Sequence, residues 1–146
     1  MVRYYSDDGI VDAPISKVWA LIQAHNDPKN RIHASIVSMT GTPQPDGSVL
    51  SDVVTKGENG APNAHHKWRF TMKPPHAQIV EMIDGPLKGS WITSTYVPEG
   101  ANKTRYVTVA DWRVQGVTDE KTLLKLCNDF MESGFEEDQR FLKTMH

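Results

Sequence analysis

The stretch Asn63 to His76, NAHHKWRFTMKPPH, places two adjacent histidines directly before a Trp, an Arg and a Phe. Adjacent histidines suggest two chemistries, metal ligation through the ring nitrogens or general-base catalysis. Metal ligation fits poorly, because zinc needs further N, O or S ligands and the chain has neither an HExxH motif nor paired cysteines. No metal site and no cofactor are therefore expected. Successive side chains on a strand point to opposite faces, so the doublet also divides. His66 falls with Trp68, Phe70 and Met72, and His65 with Lys67, Arg69 and Thr71. The apolar set should face inward, which makes His66 a wall residue and His65 a solvated one.

Glu81 is the other acid–base candidate. Closing the hairpin through KPPH with Met72 near Ala77 puts Trp68 near Glu81, and Glu81 then shares an inward face with Ile79 and Ile83. An ionised carboxylate there is costly unless paired or hydrated, and such a group is a candidate for catalysis. A slip of one residue turns Glu81 to solvent and brings Val80 and Met82 inward, and both registers stay open. Farther along, Tyr106 and Trp112 share an inward set with Thr104, Thr108, Ala110 and Val114. Pairing back through PEGANK suggests Trp91, Thr93 and Thr95 inward, with Ile92, Ser94 and Tyr96 as the slipped alternative. Cys127 reads as a small buried apolar side chain, since no base is tied to it. His25, Lys29 and Arg31 give only a sparse basic patch.

These residues need elements to position them. Arg3 to Val11 reads as a strand weakened by Asp7, Asp8 and Gly9. Pro14 suits a first helical position, and Ile15, Val18, Trp19 and Ile22 recur at i, i+3, i+4 and i+7 in a short amphipathic helix that ends at Asp27-Pro28. Pro28 to Ile32 would add at most one further turn. Six strand-like runs follow, Ser35–Thr40, Val49–Lys56, His65–Met72, Ala77–Ile83, Ser90–Val97 and Thr104–Val114. The turns PQPDGS, ENGAPN, KPPH, DGPLKG and PEGANK separate them. A long helix closes the chain, with Thr118 or Asp119 as cap and an apolar stripe of Leu123, Leu124, Cys127, Phe130, Met131, Phe135 and Phe141, interrupted by Gly134. Gly134 marks a bend or a place where something packs close to the backbone.

At 146 residues the chain fits one domain, 1–146, large enough to bury a core without staples. With 16 Lys plus Arg against 18 Asp plus Glu, the net charge of −2 provides no footprint for nucleic acid. A single cysteine excludes an internal disulfide and suits a reducing compartment. The sequence shows no signal-peptide core and no apolar run of about 18 residues, so a cytoplasmic protein without stable membrane insertion is expected, as monomer or homodimer. No nucleotide, flavin or P-loop motif is present.

Six antiparallel strands followed by one long amphipathic helix bury their apolar faces most simply by curling the sheet around the helix. One helix cannot fill that curve, and the remainder becomes an apolar cavity suited to a small molecule.

The opening IVDAPISKVWALIQAHNDP resembles the Ala-Pro, Val-Trp start of the START/Bet v 1-like (SRPBCC) superfamily, in particular its polyketide cyclase/dehydrase and lipid-transport branch. GPLKGSWITSTYVPEGANKT and VTVADW are similar to its fifth to seventh strands. The resemblance implies an α+β helix-grip fold, a seven-stranded curved antiparallel sheet around a long C-terminal helix with one or two short helices after the first strand. It also implies a cavity for hydrophobic or amphipathic lipid- or polyketide-like molecules. By position in that family His33 borders the cavity entrance. The expected lining is His33, His66, Trp68, Phe70, Glu81, Trp91, Thr93, Tyr106, Trp112, Cys127 and Met131. The expected function is binding of such a molecule. The alternatives are a cyclase/dehydratase-type enzyme using Glu81 or a cavity histidine, and a protein-interaction module like the Hsp90-activator branch. The superfamily has no universal catalytic residues, so the resemblance speaks to fold more than to reaction.

Overall fold

In the computed structural model, which describes residues 4–27 and 29–146, the elements run β1 (Tyr4–Val11), α1 (Ile15–Ala24), β2 (Ile36–Pro43), β3 (Val49–Thr55), β4 (Ala64–Lys73), β5 (Ala77–Asp84), β6 (Trp91–Glu99), β7 (Lys103–Asp111) and α2 (Glu120–Thr144). The seven strands form one antiparallel sheet in the order β1-β7-β6-β5-β4-β3-β2. Five hairpins make the meander, and β1 closes onto the last strand. This is the helix-grip architecture. The expected strand start at Arg3 and the turn at Pro28 involve residues outside those described. Among residues 29–35 no second helix forms.

Pro14 is the N-cap of α1, in extended geometry with φ −65° and ψ 153°, so the helix begins at Ile15, one residue later than a first helical position at Pro14 would give. The helix buries Val18, Trp19, Leu21 and Ile22. Asp119 caps α2 by accepting the Thr122 amide at 2.8 Å, which satisfies one of the orphan donors of the first turn. The buried residues form two clusters. One gathers Val11, Ala13, the α1 stripe, Ile32 and Leu142; the other gathers Val53, Trp68, Val80, Met82, Ala110, Trp112, Leu123 and Cys127. The C-terminal turn of α2 is tied to the first and its N-terminal turns to the second.

The hairpin registers set which side chains face the helix. At the β4–β5 turn Lys73 pairs with Ala77 and Met72 with Gln78, so the connection is one residue shorter than the pairing of Met72 with Ala77. Trp68 then lies opposite Met82, Phe70 opposite Val80, and Glu81 opposite Arg69 on the convex face. The same parity carries across the sheet: Val80 pairs with Ile92, Ile92 with Ala110, Ser94 with Thr108 and Tyr96 with Tyr106. The inward placement of Glu81, Trp91, Thr93 and Thr95 is thereby corrected, and Val80, Met82, Ile92, Ser94 and Tyr96 take their places.

Candidate functional site

The wall facing α2 begins in β4. His66 is buried and His65 exposed, as the alternation of the strand requires. His66 Nε2 lies 2.8 Å from Thr55 Oγ1 on the neighbouring strand, and its ring sits 5.4 Å from that of Trp68, which in turn lies 6.3 Å from Phe70. Gly85 lets the β5–β6 turn close against this strand. It has φ +103°, and a Cβ there would lie 2.6 Å from the His65 carbonyl oxygen and 3.0 Å from the His66 Cα. Only glycine fits both demands. Burial, followed by the charge of His65, lowers the His66 pKa and keeps the ring neutral.

Three buried polar atoms on this wall have no hydrogen-bond partner among the described residues: His66 Nδ1, Trp68 Nε1 and Trp112 Nε1. Buried indole N–H groups ordinarily find an acceptor. All three belong to residues in or beside the second cluster, where Phe130 of α2 stands edge-on to Trp112 at 5.4 Å.

The helix covers the wall unevenly. Leu123 and Cys127 are buried at one end and Leu142 at the other, whereas none of residues 128–141 is buried. Phe130 keeps 45% and Phe135 37% of its surface exposed although both lie on the apolar stripe. Beneath this middle section the wall is partly polar. Ser94 and Thr108 share a hydrogen bond of 3.0 Å, the Tyr106 hydroxyl donates to Asp7 Oδ2 at 3.3 Å, and the Tyr106 ring meets Phe135 at 5.3 Å. Burial, then the nearby Asp7, pushes the Tyr106 hydroxyl up to about 12, and burial pushes Tyr96 up to about 12 as well. Burial pushes the Cys127 thiol up to about 11, so it is protonated near neutrality and acts as a small apolar group rather than a nucleophile. A surface concavity of about 610 Å³ opens where Asp84, Gly85 and Pro86 meet Arg113, Val114 and Val117, next to the strand end that carries His66.

A second polar group of side chains lies toward the other end of α2. His25, just past α1, has Nε2 2.9 Å from Asp138 Oδ1 and 3.0 Å from His33 Nε2. His33 Nδ1 lies 3.3 Å from Glu137 Oε1, whose other oxygen accepts the Ala34 amide at 2.8 Å. Burial lowers the His25 pKa, but hydrogen bonds and charge from Asp138, with the Leu21 carbonyl, outweigh it and leave it raised. Gly134 lies one turn before Asp138, and a Cβ there would sit 3.8 Å from the His33 ring, an ordinary contact. The helix runs through this glycine without interruption.

The expected lining therefore separates into three sets. His66, Trp68, Phe70, Tyr106, Trp112, Cys127 and Met131 lie on the wall or on the part of α2 that covers it. His33 joins His25 and Asp138, and is not part of the His66 group. Glu81, Trp91 and Thr93 lie on the convex face, where Glu81 is half-exposed with Arg69 Nη1 at 3.9 Å. Sequence reasoning missed Asp138 and Glu137, and took His25 only for surface charge. Their one signal is that the long helix must end over α1, which brings residues 137–138 above the histidines that follow it.

No protein-family model and no curated protein sequence matches the chain. Solved structures do. A START superfamily protein from Mycobacterium smegmatis aligns with TM-score 0.82 and 12% identity over 98% of this chain and 99% of that one. The Zhui aromatase/cyclase from Streptomyces sp. R1128 aligns with TM-score 0.72 and 12% identity over 96% and 90%. Ara h 8.0201 aligns with TM-score 0.70 and 9% identity over 97% and 98%. At such identities the likeness establishes the fold, START/Bet v 1-like, and leaves the activity to the site.

Proposed function

We propose that this protein binds an amphipathic small molecule, apolar over most of its surface and carrying hydrogen-bond acceptors, between the concave face of the sheet and the middle of α2. The observation that carries this reading is the set of unpartnered atoms His66 Nδ1, Trp68 Nε1 and Trp112 Nε1, buried in or beside the cluster under the N-terminal turns of α2 and next to the middle section that the helix covers loosely. A buried donor without an acceptor costs about 1–3 kcal/mol, which a carbonyl or hydroxyl oxygen of a ligand would recover. Apolar ligand surface would add roughly 25 cal/mol per Å², offset by ordering costs. The fold supports the reading, since a START superfamily protein and an aromatase/cyclase share it. No helix among the described residues is long and apolar enough to cross a membrane.

The test is displacement of an apolar fluorescent dye by long-chain ketones and acids, followed by quenching or shift of tryptophan emission. Binding should weaken about 5- to 30-fold in Trp112→Phe and in His66→Leu, the loss of about 1–2 kcal/mol of hydrogen bonding. A folded protein that takes up neither dye nor ligand overturns the proposal.

A second reading rests on His66 alone. A neutral imidazole with one unpartnered nitrogen supports this reading, since it would move a proton beside a ligand carbonyl, as a cyclase- or dehydratase-type reaction requires. Glu81, on the convex face, is not placed for that role. Under this reading His66→Gln abolishes turnover of a bound polyketone while its affinity changes less than tenfold; undiminished turnover removes His66 from the chemistry.

A further inference from the structure

The cluster between the end of α1 and α2 brings three ligand-type atoms to one point. The Leu21 carbonyl can only accept, so the 2.8 Å contact fixes a proton on His25 Nδ1. The Glu137 carboxylate likewise fixes a proton on His33 Nδ1. In their neutral forms both rings then present a bare Nε2. The two Nε2 lone pairs and Asp138 Oδ1 converge, with separations of 3.0, 2.9 and 3.5 Å, all three as acceptors. Three acceptors facing one point need a proton or a metal cation among them.

We propose that His25 Nε2, His33 Nε2 and Asp138 Oδ1 bind a divalent first-row transition ion of the zinc or iron(II) class. Ligands about 2.05 Å from such an ion lie about 2.9 Å apart at a right angle and about 3.3 Å apart at a tetrahedral one, and the observed separations span these values. The donor set excludes magnesium and calcium, which take oxygen ligands, and matches the two-histidine, one-carboxylate face that leaves coordination positions open. The outer contacts point the same way. Ligating histidines typically donate their other ring N–H to a carbonyl or carboxylate, and here one donates to Leu21 and the other to Glu137. Glu137 is itself held by the Ala34 amide, so the loop carrying His33 is fixed to the helix carrying Asp138. The three ligating side chains are partly buried, with 21–31% of their surface exposed, so the ion can enter and solvent or a ligand oxygen can complete its shell. The three come from the end of α1, the following loop and a helix more than a hundred residues later, and no local motif announces them.

A lone proton on His25 Nε2, shared with Asp138 and His33, is the competing arrangement, and the experiment separates the two. The purified protein, stripped with chelator, is titrated at pH 7.5 with Zn(II) by calorimetry and with Co(II) by visible absorption, with no organic ligand added. One ion per chain is expected, together with Co(II) bands of a site containing nitrogen and oxygen ligands. His33→Ala and Asp138→Asn should each weaken binding more than tenfold, and Glu137→Gln, which removes no ligand, by about 10- to 100-fold. His65→Ala should leave it unchanged. Circular dichroism confirms folding of each variant, and Asp138→Asn and Glu137→Gln, being isosteric, keep the test intact should His33→Ala unfold. Absence of stoichiometric uptake, or uptake that survives both Asp138→Asn and His33→Ala, overturns the proposal. Either result is independent of whether the wall beneath α2 holds an organic molecule.

Discussion

If α2 is fastened at its ends and loosely seated in the middle, truncating an anchor should cost far more stability than truncating a central apolar residue. Leu123 is 1% exposed and packs in the second cluster, so Leu123→Ala loses its transfer energy and leaves a cavity, a change of about 3–4 kcal/mol. Phe135 is the larger side chain, yet 37% of it stays exposed. Full burial of a phenylalanine contributes about 1.5–3 kcal/mol; scaled to the buried part this gives about 1–2 kcal/mol, with no cavity term because water refills the space. At about 2.1 cal/mol/K per residue, 146 residues give an unfolding entropy of about 0.3 kcal/mol/K. Leu123→Ala should thus lower Tm by about 10–13 °C and Phe135→Ala by about 3–6 °C, measured by calorimetry without ligand. Ligand affinity should show the opposite ranking, since Phe135 borders the proposed site. Equal Tm losses for the two variants would refute the uneven seating of the helix and, with it, the case for a site beneath it.

Three further outcomes follow from the same geometry. Burial lowers the His66 pKa below its ordinary 6.5, so the unfolded chain takes the proton first as pH falls; stability from this group is complete above about pH 6.5 and declines below it, and urea midpoints at pH 7.5 and 5.5 should differ less in His66→Gln than in the parent protein. Gly85→Ala combines a positive φ with a 2.6 Å approach to the His65 carbonyl, and should cost about 1–3 kcal/mol in the same urea assay, with a loss of ligand affinity as the β5–β6 turn lifts from His66. Glu81→Gln touches only a half-exposed pair at 3.9 Å from Arg69, so stability should stay within about 0.5 kcal/mol and ligand affinity should not change; a marked effect would return Glu81 to the site.

How far the sequence could be read depended on which physical rule was in force. Parity within one strand needs no partner, and it separated His65 from His66 and placed Trp68, Phe70, Tyr106 and Trp112 on the wall. Parity between strands depends on the length of each connection, and one residue at KPPH decides it. Lys73 pairs with Ala77, whereas pairing Met72 with Ala77 turns Glu81 inward. The errors at Trp91 and Thr93 have the same origin, since Tyr96 pairs with Tyr106 and carries Ser94 and Ile92 inward. The cluster of His25, His33 and Asp138 follows neither rule. It depends on the angle at which α2 crosses α1, which periodicity does not encode.

The looseness of the α2 middle has a cause in the wall itself. At one end of the helix the sheet offers Val53, Met82 and Trp112, and at the other α1 offers its buried stripe, both largely apolar and closely packed. Beneath the centre the sheet offers the Ser94–Thr108 pair and the Tyr106 hydroxyl, already bonded to one another or to Asp7. Leucines there would have drawn the helix down and filled the space. Satisfied hydroxyls give Met131 and Phe135 little apolar surface to cover, and they stay partly exposed. An incoming apolar molecule would supply that surface. Covering about 200 Å² would contribute about 5 kcal/mol before ordering costs, and each recovered hydrogen bond would add about 1–3 kcal/mol. The same wall packed with leucines would be more stable and would bind nothing.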